Sequence, residues 1–201
     1  NVDRLELEDG YILADGRQAI SLEELAMESY YSLGNSSVLT AEVSRQVKKN
    51  TVATGCCFAE VEVDMKLGKI KVLDIVNVHD SGILLNPQLA AMQVHGGMSM
   101  GMGCGLSEQL LLDEKTGRPL NGTLLDYKLM TTMDTPDLTA EFVELNDPMG
   151  PYGNKALGEP PAIPGAPAIR NAVLHATGIG FAEIPLTPQR LIDGFTKAGL
   201  I

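Results

Sequence analysis

Two short segments hold the side chains best suited to chemistry. In Gly153-Asn154-Lys155-Ala156-Leu157-Gly158-Glu159-Pro160-Pro161, one carboxylate is set between a glycine and two prolines. A proline pushes the residue before it out of the α region, and a glycine lets backbone or ligand approach closely. A carboxylate fixed in this way within an apolar stretch is desolvated, its pKa rises, and it suits a general base; the alternative is an exposed loop glutamate. The second segment runs from Gln93 through His95-Gly96-Gly97 and Met98 to Gly101, Gly103 and Gly105. At helical spacing Gln93, Gly97 and Gly101 share one face. Glycine costs a helix about 1 kcal/mol against alanine, so the missing side chains must return something. They could admit a planar ligand beside the Gln93 amide, or they could let the helix pack tightly on a neighbour with Gln93 satisfied internally.

Other chemistries have weaker grounds. His79, His95 and His175 lack HxxxH or HExxH spacing, so a protein-ligated zinc is not expected. His79-Asp80-Ser81 has the composition of a triad, but neighbours on a strand point to opposite sides. Gly153-x4-Gly158 continues into Glu159 and is no P-loop, and no GxGxxG follows a strand.

These segments need elements to position them. Leu5 to Ala14 reads as short strands around Asp9-Gly10, with a second turn at Asp15-Gly16. Ser21 and Glu24 form a capping box that opens a helix to about Leu33, ended by Gly34-Asn35. From Thr51 to His79 the pattern is β: Ala59, Val61 and Val63 alternate with Glu60, Glu62 and Asp64, Lys66 to Lys69 is a hairpin turn, and Ile70 to Val78 returns. Asn86-Pro87 then caps and starts a helix to roughly Met100. Glu108 to Leu112, Leu124 to Met130 and Glu141 to Leu145 are strand candidates, and Pro167 to Thr177 and Pro188 to Ala198 are the last helices. No repeat and no linker divides the chain, so it reads as one α+β unit over 1–201, mixed sheet strands with interleaved packing helices.

With 201 residues, 44% of them hydrophobic, the chain can bury a sizeable core. Its 15 Lys and Arg against 26 Asp and Glu leave a net charge of −11, which disfavours nucleic acid and anionic membranes as partners. No membrane span or signal-peptide core stands out. Cys56, Cys57 and Cys104 form neither a CxxC pair nor a framework of bridges, which fits a reducing, cytoplasmic compartment. The nine methionines interleave with glycines and read as core filler.

Taken in order, Asp80-Ser81-Gly82-Ile83-Leu84-Leu85-Asn86-Pro87, Gln93-Val94-His95-Gly96-Gly97, Lys155-Ala156-Leu157-Gly158-Glu159-Pro160-Pro161 and Pro167-Ala168-Ile169-Arg170-Asn171-Ala172-Val173, with Ala176-Thr177-Gly178 and Pro185-Leu186-Thr187-Pro188, add up to something specific. From about Gly10 onward the chain resembles the C-terminal part of the molybdopterin-binding large subunit of the xanthine dehydrogenase and aldehyde oxidoreductase family. Two departures stand out: Leu129-Met130 follows Asp126-Tyr127-Lys128 where Ile-Pro is usual, and Ile179-Gly180 stands where an arginine often follows Ala-Thr-Gly.

The resemblance implies a molybdenum-molybdopterin cofactor in the full assembly, without a protein ligand to the metal, and iron-sulfur and flavin groups on partner subunits or domains. It implies that Glu159 is the base for a molybdenum-bound hydroxyl in the hydroxylation of a purine or related N-heterocycle. Gln93, Gly96, Gly97, Leu157 and Gly158 are the implied cofactor-binding residues. Rival readings are an aldehyde oxidoreductase-like activity, a non-catalytic assembly module of the same ancestry, and a domain that binds another planar ligand along Gly97 and Gly101. Family large subunits carry several hundred further residues upstream, so the expectation is a fragment or a split subunit whose partner is the N-terminal part. Alone it is expected to be inactive, free of cofactor, and prone to self-association through an exposed apolar face.

Overall fold

The computed structural model describes residues 2–31, 38–44 and 49–201. Contacts divide the chain into two compact units, Asn1–Gln46 and Val47–Ile201, where the sequence reads as one. The first unit is an antiparallel sheet of β1 (Leu5–Glu8), β2 (Tyr11–Ala14) and β3 (Arg17–Ser21), followed by α1 (Leu22–Tyr31). Both hairpin turns use Asp-Gly with positive φ at each residue, 47° and 80° at Asp9-Gly10 and 53° and 72° at Asp15-Gly16. That is the mirror-image turn whose twist matches paired strands. The capping box forms as expected: Glu24 N donates to Ser21 Oγ and Ser21 N to Glu24 Oε2, both at 3.0 Å. The expected helix end at Leu33 to Asn35 lies outside the described residues.

The second unit is built on the hairpin of β4 (Thr54–Asp64) and β5 (Lys69–Asp80). Alternation along β4 is real, with Ala59, Val61 and Val63 half-buried between exposed acidic residues. β6 (Leu138–Phe142) adds to the other edge of β5 in parallel, giving the order β4-β5-β6. Of the three late strand candidates only the last leads to a strand, shifted a few residues earlier. Leu112 makes a single bridge to Pro119, and 124–130 is turns and coil, because Gly, Asp and Pro punctuate that region too densely for a ladder.

Two helices cover the inner face of this sheet. α2 (Pro87–Leu106) starts where Asn86 Oδ1 accepts from Leu89 N at 3.0 Å, and it runs six residues past the expected Met100. α3 (Gly165–Thr177) ends at Gly178, whose φ of 74° closes the last turn. Val72 and Ile75 of β5, Val94, Met98 and Met102 of α2, and Ile169 of α3 form one core. A second core joins Val173 to Leu186 and to Leu191 and Phe195 of α4 (Pro188–Lys197). Among the described residues no helix is long and apolar enough to cross a membrane.

Candidate functional site

The glycines of α2 divide between two faces with different tasks. A methyl at Gly97 would lie 2.5 Å from Pro161 Cβ and 2.8 Å from its carbonyl carbon, and one at Gly101 would lie 3.0 Å from the Ala162 oxygen and 3.1 Å from Gly165 Cα. Gly105 continues the row against Ala166. This stripe is therefore a packing seam on the 161–166 segment, and the idea of a planar ligand lying along Gly97 and Gly101 is corrected: protein already occupies that space. The seam also explains the extra length of α2, since Gly101 and Gly105 hold the helix against α3 instead of ending it. Gly96, one residue around the helix, has nothing within 4 Å of the position a methyl would take.

By seating the 161–166 segment on α2, the seam fixes the loop before it. That loop is strapped to the end of β5. Ile83 N donates to Gly153 O at 2.9 Å, Lys155 N to Ser81 O at 2.7 Å, and Lys155 Nζ pairs with Asp80 Oδ2 at 2.5 Å with both side chains largely buried. The Lys155 hydrogen bond holds the Asp80 carboxyl below its usual range, helped by the Gly82 amide. Gly82 has a φ of 69° and faces the Gly153 carbonyl, a contact that leaves no room for a side chain. These contacts account for the Asp80-Ser81-Gly82 and Lys155 motifs as structural partners across the chain.

At the far end of the loop, Gln93 Nε2 donates to Gly158 O at 2.7 Å. Gln93, Gly96, Gly97, Gly158 and Glu159 come together, with Met100 and Ile163, around one open pocket of about 800 Å³. Leu157 turns partly into the main core and, with Gln93 and Gly158, edges a neighbouring hollow of about 390 Å³. Glu159 is exposed on the pocket, so the desolvation expected from its apolar neighbours is not supplied by these residues. Hollows of about 740 Å³ beside Tyr11 and Met27 and about 840 Å³ beside Lys71 and Met130 carry none of the residues singled out.

Beneath the loop lies a buried polar row, of which the sequence singles out His79 and Ser81 by type but not Asn77. Asn77 and His79 occupy alternate inward positions of β5 and Ser81 follows just past its end, 0%, 1% and 1% exposed. Burial pushes the His79 imidazole below its ordinary pKa, because desolvation disfavours the charged form. The available signal was Asn77 and His79 on alternate positions between Val76 and Val78, where the first half of the strand sets apolar residues inward. Among the described residues no group of three or more His, Cys, Asp or Glu side chains could hold a metal ion. A pterin-borne metal asks for something else: hydrogen-bonding groups and room for a broad ligand. The Gln93 amide beside open backbone at Gly96 and Gly158 fits that need.

Residues 1–136 match the family model described as a molybdopterin cofactor-binding domain. The xanthine dehydrogenase molybdenum-binding subunit of Escherichia coli O157:H7 is 50% identical over 182 residues, 90% of this chain and 24% of that protein. The aldehyde oxidoreductase molybdenum-binding subunit PaoC of Escherichia coli K12 is 31% identical over 192 residues, covering 95% and 26%. Among solved structures, the Cu,Mo-CO dehydrogenase in its carbon monoxide-reduced state superposes with a TM-score of 0.81 at 26% identity, covering all of this chain and 26% of that one. The chain thus spans about a quarter of the length of the relatives it matches. A glycine-seamed helix that presents an amide to an open pocket, on a fold and sequence shared with these proteins, places the chain in the molybdopterin-binding family of the xanthine dehydrogenase and aldehyde oxidoreductase class.

Proposed function

We propose that this chain supplies the base-bearing wall of the active site in a molybdenum-dependent hydroxylase acting on a purine or related N-heterocycle. The observation that carries the reading is the convergence of Gln93 and Glu159, from segments 66 residues apart, on one open pocket through the Gln93–Gly158 hydrogen bond. When bound, the molybdenum-molybdopterin group supplies two-electron oxidation, with electrons leaving to iron-sulfur and flavin groups on partner subunits or domains. Gln93 and the open backbone at Gly96 and Gly158 would hold that group, with Gly97 and Leu157 shaping the wall behind them. One amide hydrogen of Gln93 is committed to Gly158 O, which leaves its second N–H and its carbonyl oxygen for the cofactor.

Glu159 acts as the general base, accepting a proton at its carboxylate during hydroxylation. Such a group contributes roughly 10²- to 10⁴-fold to rate. The greater identity to the xanthine dehydrogenase subunit, 50% against 31% for the aldehyde oxidoreductase subunit, favours a purine over an aldehyde. Exposed Leu85, Leu89, Met100 and Ile163 border the pockets and await cover. The remainder of the molybdenum-binding subunit is the partner that fits, and it would enclose the carboxylate as well.

The test is a pair of substitutions in the assembled enzyme, assayed on purines and aldehydes with molybdenum content measured. Glu159→Gln is expected to lose turnover by about 10²-fold or more while keeping its molybdenum. Gln93→Ala is expected to lose molybdenum together with activity. Retained molybdenum in the Gln93 variant would contradict the cofactor assignment, and a higher kcat/KM for aldehydes than for purines would overturn the substrate class.

A further inference from the structure

Along the inward face of β5, apolar Val72 and Ile75 give way to Asn77 and His79, with Ser81 just past the end of the strand, beneath the Glu159 loop. A fully buried amide is costly unless its hydrogen bonds are met, so Asn77 calls for an account. Its Nδ2 donates to the carbonyl of Pro161 at 3.0 Å, across 84 residues of sequence. The opposite flip would set two oxygens against each other, so the amide has one usable orientation.

The turn that receives this bond has few donors of its own. Pro160 and Pro161 carry no N–H. Within the turn, Ala162 N donates to Glu159 O at 3.0 Å, while the carbonyls on either side are met by side chains, Gly158 O by Gln93 and Pro161 O by Asn77. Glu159 therefore sits between two carbonyls anchored to different elements, one to α2 and one to β5. The α2 anchor, Gln93, lies on the pocket, while the β5 anchor, Asn77, is fully buried and does not line it.

We propose that Asn77 is a positioning residue for Glu159: by holding the Pro161 carbonyl it sets where the turn presents the carboxylate to the pocket. This rests on the reading of Glu159 as the base. Without the Asn77 donor, the buried Pro161 carbonyl is left unmet, and the turn shifts to find a partner. A displacement of about 1 Å at a reacting group can cost on the order of 10²-fold in rate.

The experiment is a double-mutant cycle in the assembled molybdenum enzyme, with Asn77→Leu made in the wild type and in Glu159→Gln. The readouts are kcat, KM, molybdenum content, and amide hydrogen exchange across 158–165. Asn77→Leu is expected to lower kcat about 10- to 100-fold, with KM and molybdenum content unchanged and with faster exchange at the Ala162 amide. In the Glu159→Gln background it is expected to lower kcat less than about two-fold further, because coupled residues are non-additive. If Asn77→Leu does not accumulate, Asn77→Thr suits a strand but is too short to reach Pro161, and it is judged by the same criteria. A kcat within two-fold of wild type, or an equal loss in both backgrounds, would overturn the proposal while leaving the role of Glu159 intact. A Glu159→Gln enzyme that turns over normally would overturn both.

Discussion

At the scale of single residues, the pair Asp80 and Lys155 helps strap the Glu159 loop to the end of β5. With its carboxyl held down chiefly by the Lys155 hydrogen bond, Asp80 binds protons more tightly in the unfolded chain than in the folded one. The stability it contributes is fully present above its ordinary value of 3.8 and is lost as pH falls through the lowered folded value. Denaturant midpoints measured from about pH 5 down to pH 2 should fall, and Lys155→Met should flatten that part of the curve. An unchanged slope in the variant would mean that the pair is not coupled to folding. The residue scale is also where sequence reading was least complete. Glu159 and Gln93 stand out by type and context, but exposure depends on what covers a loop, which local composition does not encode. Asn77 drew no notice because its partner, Pro161, is far along the chain.

At the scale of elements, α2 sets two adjacent glycines to opposite uses, and the same substitution should have opposite effects on them. Gly97→Ala gains about 1 kcal/mol of helix propensity but drives a methyl into Pro161, an overpacking that costs roughly 1–3 kcal/mol and pushes on the Glu159 turn. Gly96→Ala meets nothing and should stabilise by up to about 1 kcal/mol, yet it places a methyl at the pocket and should weaken cofactor retention. Thermal unfolding and molybdenum content of the two variants check this, and equal effects at both positions would contradict the packing seam. The β4–β5 hairpin was legible because one face is buried and strict alternation follows. The last turns of α2 were not, because Gly101, Gly103 and Gly105 look locally like the end of a helix, and it is the packing of Gly101 and Gly105 on the start of α3 that carries the helix through them. Leu124 to Met130 shows the converse: residues suited to a strand remain in turns and coil where Gly, Asp and Pro punctuate the surrounding chain too densely for a ladder.

At the scale of the whole molecule, the second unit folds around its own cores but leaves Met100 and Ile163 at the pocket 62% and 69% exposed. Together with Leu85, Leu89 and Met92 they mark a surface that calls for a partner. The isolated chain should self-associate and contain no molybdenum, and supplying the rest of the subunit should restore both a defined stoichiometry and the metal. Sedimentation and metal analysis check this; a monomeric isolated chain holding stoichiometric molybdenum would contradict it. The central claim, that this wall carries the base of a molybdenum hydroxylase, is tested most directly by single turnover. The assembled enzyme is mixed with a purine substrate without oxygen or electron acceptor, and reduction of the molybdenum centre is followed in wild type and in Glu159→Gln at equal molybdenum content. The expected result is a rate lower by about 10²- to 10⁴-fold in the variant; reduction at the wild-type rate would contradict the account.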